Sequence, residues 1–237
     1  MDQRVSVLAA GVLALGLVAA GFLISGSLGQ LRSGAQIVSV KGLAEKEVTA
    51  DYVNWAPTFT TSGQELPAVQ AQMREAQDKI EAFLVKAGLA VNDDFRVTPW
   101  RVTDSRARDY GGNPSADRYI MEATVQISTA KVGEVTAAAR DVSSLLAQGV
   151  LVGSASGVSY IFTDINRVKP ALIGEATRQA RLAAEQFASD SAAKVGSISR
   201  ASQGAINIRV RGQDYDDASD PRKIVRVVTT IDYLLEK

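Results

Sequence analysis

Along this chain the apolar positions run unbroken, alternate with polar ones, or recur every three and four residues, and each pattern predicts a different element. The unbroken run is Val5–Ile24, VSVLAAGVLALGLVAAGFLI, which carries no charge and one polar side chain, Ser6. At about 1.5 Å per residue it spans about 30 Å, the thickness of a hydrocarbon core. It predicts one N-terminal transmembrane helix within residues 1–29, an anchor to the lipid bilayer. Ser25-Gly26-Ser27 would suit a signal cleavage site, so export with loss of the segment is the alternative. Secretory signals have a shorter apolar region of about 7–15 residues, which favours the retained anchor. Arg4 and the terminal amine precede the span, opposed by Asp2, and Arg32 and Lys41 follow it. The positive-inside rule barely separates the two orientations; the orientation expected is N-in with the body exported. Gly11, Gly16, Gly21 and Gly26 recur every five residues. That spacing scatters them around a helix rather than building a packing seam, which needs a spacing of four.

Residues 30–36 read as a linker and 37–237 as an α+β body. Alternation predicts strands over Ile37–Val40 and Val48–Thr60, the latter with Val53, Trp55 and Phe59 on one face. Ser62 and Glu65 have the spacing of a capping box. Leu66, Val69, Met73, Ala76, Ile80, Phe83 and Ala87 then form one helical stripe, stopped by Gly88. Phe95–Thr103 reads as a strand in which Pro99 marks an edge or a bulge. Tyr119–Ile127 reads as a strand with Met121, Ala123, Val125 and Ile127 on its inner face. A helix carrying Val132, Val135, Ala139, Val142 and Leu146 ends at Gly149, and a strand interrupted by small residues covers Val150–Phe162. An alanine-rich helix begins between Asp164 and Pro170 and stops at Gly196, with Leu172, Ala176, Ala180, Ala183, Phe187 and Val195 inward. Its expected i,i+4 ion pairs are Arg181–Glu185 and Asp190–Lys194. Strands over Ile198–Arg211 and Ile224–Leu234 complete the body.

Two stretches, about 48–127 and 150–231, share the order strand, helix, strand, polar loop, strand. Asp109-Tyr110 and Asp214-Tyr215 occupy corresponding loops, and Met121, Ala123, Val125 and Ile127 correspond to Val225, Val227, Thr229 and Ile231 at one even offset. This predicts two related βαββ units with helices packed on antiparallel sheet. Two unrelated hairpins of similar length are the alternative.

Composition narrows the chemistry. The chain has no cysteine and no histidine, and Lys plus Arg equals Asp plus Glu at 26 each. Thiol catalysis, His-activated nucleophiles and the usual zinc ligands are excluded. No basic stripe points to nucleic acid. Gly153-Ser154-Ala155-Ser156-Gly157 fails as a nucleophile elbow because Ala155 holds the central position. Asp214, Asp216, Asp217 and Asp220 share one loop that reads as a solvated hairpin connection; calcium is the sharper alternative, without the spacing of an EF-hand. Arg101, Arg106, Arg108 and Arg118 surround Gly111-Gly112 in another loop, which reads as a polar hairpin tip or, alternatively, a seat for anionic headgroups or an acidic partner patch. No catalytic, cofactor-binding or metal-binding residue is assigned, and no cofactor is expected.

The run Ile37–Asp51, IVSVKGLAEKEVTAD, resembles the opening of SIMPL-domain proteins. So do Phe162–Asn166, Lys169-Pro170, Glu175–Arg181, Phe187–Ser191, Ala201–Gly204 and Val225–Thr230. Many relatives carry Pro-Asp where this chain has Ala50-Asp51. The resemblance implies a bacterial envelope protein, in the inner membrane with its body in the periplasm or secreted there, with no agreed catalytic residues. Relatives are associated with oxidative-stress defence, and some form ring-like homo-oligomers. The expected function is a non-enzymatic module that self-assembles into a homo-oligomer or binds an envelope protein partner. The alternative is an exported hydrolase using carboxylates or a Ser–Lys pair.

Overall fold

A computed structural model of the chain describes residues 36–107, 117–153 and 157–236. The predicted membrane helix and its cleavage site, the linker up to residue 35, Arg108 to Gly112, and Ser154-Ala155-Ser156 lie outside the described residues. The protein is α+β. Its strands are β1 (Ile37–Thr49), β2 (Tyr52–Trp55), β3 (Thr58–Gly63), β4 (Phe95–Val97), β5 (Arg101–Asp104), β6 (Tyr119–Thr129), β7 (Leu151–Gly153), β8 (Ser159–Ile161), β9 (Lys194–Arg209) and β10 (Arg222–Glu236). Its helices are α1 (Leu66–Lys86), α2 (Val132–Asp141), α3 (Ser144–Ala147) and α4 (Ile165–Asp190). No helix among the described residues is long and apolar enough to cross a membrane. The chain divides into two compact units. The larger comprises Ala44–Glu175 and Ala205–Val228, and the smaller Met1–Leu43, Ala176–Gly204 and Thr229–Lys237.

In the larger unit β6 is the shared strand. β2 and β3 pair antiparallel with it in succession along one edge, and β4 and β5 along the other. β8 and β7 flank β2 and β3 on the outside. The strands expected at 48–60 and 95–103 are each broken around a proline, which has no N–H for the ladder. Pro57 interrupts without slipping the register, because Trp55↔Ile127 and Thr58↔Thr124 fall on one ladder. Its carbonyl still accepts the Val125 N–H at 2.9 Å. On the opposite edge, residues 98–100 face only 123 and 124 of β6 between the pairs Val97↔Val125 and Arg101↔Glu122. This is a β-bulge at the position where Pro99 predicts one. Thr98 Oγ1 accepts the Thr124 N–H at 3.0 Å and so closes the gap.

Alternation then sorts the side chains. Val53, Trp55, Phe59, Met121, Ala123, Val125 and Ile127 are buried, while Glu122, Gln126 and Ser128 are exposed. Val69, Met73, Ala76, Ile80 and Leu84 of α1 join this core. Gly88, at φ +93°, ends α1 as expected. The capping box does not form: Glu65 receives no side-chain cap, and Ser62 donates to Asp117 at 2.5 Å. Ser62 is held extended by its pairing with Ile120, so its hydroxyl cannot turn back onto the helix. The second predicted helix splits into α2 and α3, which buries Leu145 and leaves Leu146 exposed. Beyond α1, Asp94 accepts hydrogen bonds from Lys131 Nζ at 2.7 Å, the Thr129 hydroxyl at 2.6 Å and the Ala90 N–H at 2.7 Å. The bonds from Lys131 and Thr129 hold its pKa down at about 2 against the effect of burial.

At the start of α4, Asp51 accepts from the Thr163 N–H and hydroxyl and from the Asp164 N–H at 2.7, 3.0 and 3.0 Å. Burial raises the Asp51 pKa, but these bonds outweigh it and the net shift is downward. The three-stranded sheet has the order β1-β10-β9. The strand expected to stop at Val40 continues as β1, since Val40, Gly42 and Ala44 keep pointing inward. Ala176, Ala180, Ala184 and Ala188 give α4 a buried stripe at strict i,i+4 spacing. The helix backbone lies so close to β1 that a β-carbon on Gly42 would overlap the Ala176 carbonyl oxygen. A large side chain has no room on that stripe, so Phe187, predicted inward, is 58% exposed. Helix α4 also stops earlier than predicted, at Asp190, which puts Val195 and Lys194 in β9. The Asp190–Lys194 pair therefore has no shared helix, whereas Arg181–Glu185 forms at 2.9 Å.

Gly42→Ala should destabilise the protein by at least about 2 kcal/mol, because the clash is with backbone. Gly174→Ala, in open space on α4, should stabilise it by about 0.5–1 kcal/mol. Chemical denaturation of both variants reads the contrast. For Asp94, a folded pKa of about 2 against an ordinary 3.8 means a contribution fully present above pH 3.8 and lost as pH falls through about 2. Asp94→Asn should remove about 1–2 kcal/mol at pH 6, the partly exposed Lys131 screening the rest, and the difference from wild type should shrink towards pH 2.

Candidate functional site

The connection from β9 to β10 carries the four carboxylates singled out above. Each is already engaged. Asp214 pairs with Arg209 at 3.1 Å, and Asp216 with Lys223 at 2.6 Å. Asp217 accepts from the Ser219 N–H at 2.9 Å and its hydroxyl at 2.7 Å. Asp220 accepts from the Arg222 N–H at 2.8 Å and from its guanidinium. The backbone bond from Ser219 lowers the Asp217 pKa, and that from Arg222 lowers the Asp220 pKa. Among the described residues no three acidic side chains gather where they could share a metal ion. The calcium alternative therefore has no ligand set in this loop. No lysine among the described residues bonds a serine hydroxyl; Lys223, beside this loop, bonds Asp216 and the Asp217 carbonyl.

The loop is also more than a solvated connection. The Lys223 side chain is 0% exposed, and its Nζ donates at 2.6 Å to Asp216 and at 2.7 Å to the Asp217 carbonyl. A buried ammonium is tolerated only when paired, so these bonds pin the loop to β10. The pinned loop then receives N–H groups from elsewhere in the larger unit: Tyr160 donates to the Ala218 carbonyl at 2.6 Å, and Ala50 to the Pro221 carbonyl at 2.8 Å. It thus forms a strap along β8. The signal for Lys223 was present in its register, since it occupies an inward position two before Val225 and four before Val227.

Of the arginine cluster, Arg118 is neutralised by a carboxylate. Arg118 donates to both oxygens of Asp104 at 3.1–3.4 Å and lies 4.7 Å from the Tyr119 ring centroid. That pairing lowers the Asp104 pKa and raises that of Arg118. Arg106 donates to Gln64 at 3.3 Å, and Arg101 stands opposite Glu122. Of the Gly153–Gly157 stretch, Gly153 ends β7 and the central three residues lie outside the described part.

The long strand β9 is the contrasting feature. It has 16 residues and, among the described residues, a single strand neighbour, β10. Every residue from Ser197 to Ala205 is exposed, including Ile198 at 52%. Between Val195 and Ile208 it carries one charge, Arg200, and no proline. Edge strands are normally blunted by charge, proline, bulges or covering segments. β8 has its strap, the β4–β5 edge has a bulge, and β1 carries Lys41, Glu45, Lys46 and Glu47. β9 has charges at its two ends, Lys194 and Arg209, and only Arg200 between them.

Loss of the pin should loosen the strap without unfolding the protein. In Lys223→Met the amides of Tyr160 and Ala50 should exchange with solvent at least about tenfold faster, a local opening easier by about 1.4 kcal/mol, with unchanged circular dichroism. Hydrogen exchange resolved by residue measures it; unchanged protection at both amides would show that Lys223 does not hold the strap.

A search of curated proteins finds no match to the chain. The family model SIMPL, described as a protein of unknown function (DUF541), matches residues 38–229. The match begins in β1, takes in the strap and all four helices, and ends in β10. On that coverage, the chain belongs to the SIMPL family.

Proposed function

We propose that this protein is a non-enzymatic assembly module of the bacterial cell envelope, anchored by residues 1–29 in the inner membrane with its body in the periplasm. The observation that carries the reading is the unguarded edge of β9. A row of backbone groups without strand partners among the described residues, carrying one charge between Val195 and Ile208, is a template for another strand, and the occupant we assign is β9 of a second copy. The apolar run Val5–Ile24 supports the anchor, with cleavage and release to the periplasm as the alternative. An envelope protein partner and a link to envelope or oxidative stress belong to the same reading. The internal repeat belongs here too. It is supported by the burial of Met121, Ala123, Val125 and Ile127 on β6 and of Val225, Val227, Thr229 and Ile231 on β10, the central strands of their sheets.

The mass of the chain extracted from membranes and the mass of its native assembly test this directly. The expected result is an intact polypeptide of 25.1 kDa in a homo-oligomer. Ile198→Lys combined with Ala201→Lys should reduce the assembly to monomers while leaving the melting temperature of the body unchanged, since both side chains are exposed and lysine is the usual edge blocker. A strictly monomeric wild type, or an assembly indifferent to the lysines, defeats the proposal.

A further inference from the structure

On the larger unit, the sheet face turned away from α1 carries a cleft of about 530 Å³, within the ~300–1,000 Å³ range of small-molecule sites. Its floor is built by strand register. One row holds Arg96 of β4 opposite Gln126 of β6, and the next holds Ser128 of β6, Asn54 of β2 and Ser159 of β8. Ala56, a small side chain, leaves the depression, and Asn92 and Asp93 line one side.

The hydrogen bonds on this floor consume acceptors and leave donors. Arg96 Nε donates to Gln126 Oε1 at 2.9 Å, and Ser128 donates to Asn54 Oδ1 at 2.6 Å. Tyr52 donates to Ser128 at 3.3 Å. Both carboxamides are thereby fixed in orientation. Asn54 Nδ2, Gln126 Nε2 and the terminal nitrogens of Arg96 have no protein partner among the described residues, and Asp93 supplies a free acceptor beside them. Further along the same face Thr58 and Thr124 satisfy one another at 3.1 Å.

The geometry points to a binding site for a sugar acid, a pyranose bearing one carboxylate. A guanidinium fork matches a carboxylate in two parallel bonds. Ring hydroxyls, which both donate and accept, suit amide N–H groups on one side and the Asp93 carboxylate on the other. Asp94 is taken up by Lys131, so the charges left to the cleft are the Arg96 guanidinium and the Asp93 carboxylate, a balance that disfavours a doubly charged phosphate. Apolar ligands are disfavoured because Trp55, Phe95 and Ile127, at the base of the cleft, are 7%, 2% and 2% exposed. This site is independent of the β9 edge.

The test is titration of the full chain with D-galacturonate, and with galactose as the uncharged counterpart, followed by calorimetry and by the side-chain amide NMR signals of Asn54 and Gln126. Galacturonate should bind with a Kd in the millimolar range and shift both amide signals, and galactose should bind about tenfold more weakly. Arg96→Ala should weaken galacturonate binding about tenfold or more, and Asn54→Ala several-fold, with melting temperatures unchanged. No response to galacturonate at concentrations on the order of 50 mM, equal binding of galactose, or an Arg96→Ala variant that binds like wild type overturns the assignment.

Discussion

Strand β6 must satisfy its backbone on both edges at once, and the larger unit is arranged around that requirement. A buried strand cannot leave its N–H and C=O groups unpaired, yet the chains on either side each meet a proline. The two breaks are repaired differently. Pro57 keeps the ladder in step through its carbonyl, and the Pro99 bulge is bridged by the Thr98 hydroxyl. Because both repairs preserve the alternation along β6, the apolar set stays on the side of α1 and the polar set stays on the other. A slip of one residue would have exchanged them. The core and the polar cleft are therefore two outcomes of one register.

Much of this is legible in local pattern. The stripe of α1, the alternation of β6 and β10 and the stops at Gly88 and Gly149 depend on residues close in sequence, where period and backbone conformation decide. What local pattern misses are choices made by distant groups. Ser62 has the spacing of a cap but is claimed by a strand partner 58 residues away. Phe187 suits a buried helical face until the approach of β1 removes the space for it. Asp51 serves the start of α4 across 112 residues. The cleft is hidden for the same reason: Arg96, Gln126, Asn54 and Ser159 come from four strands, and only the pairing order sets them side by side.

The buried lysine shows how such a long-range choice acts. Taking an ammonium out of water costs several kcal/mol unless partners replace the lost solvation, so Lys223 makes the conformation of the loop that supplies those partners obligatory. The acidic run, which from sequence reads as a solvated hairpin connection with calcium as the alternative, is thus used for structure. Its carboxylates hold turns and cations inside the loop, and the loop in turn occupies backbone groups beside β8.

The uneven treatment of strand edges has a consequence for stoichiometry. If β9 joins β9 of another copy about a two-fold axis, each copy uses its open edge and growth ends with a pair. Joining β9 to the charged edge of β1 would instead leave one unsatisfied border at each end, so that subunits keep adding until the rotation per step closes a circle or fails to and gives a fibre. Under the proposed self-assembly, the number of subunits would therefore report which of the two borders does the joining.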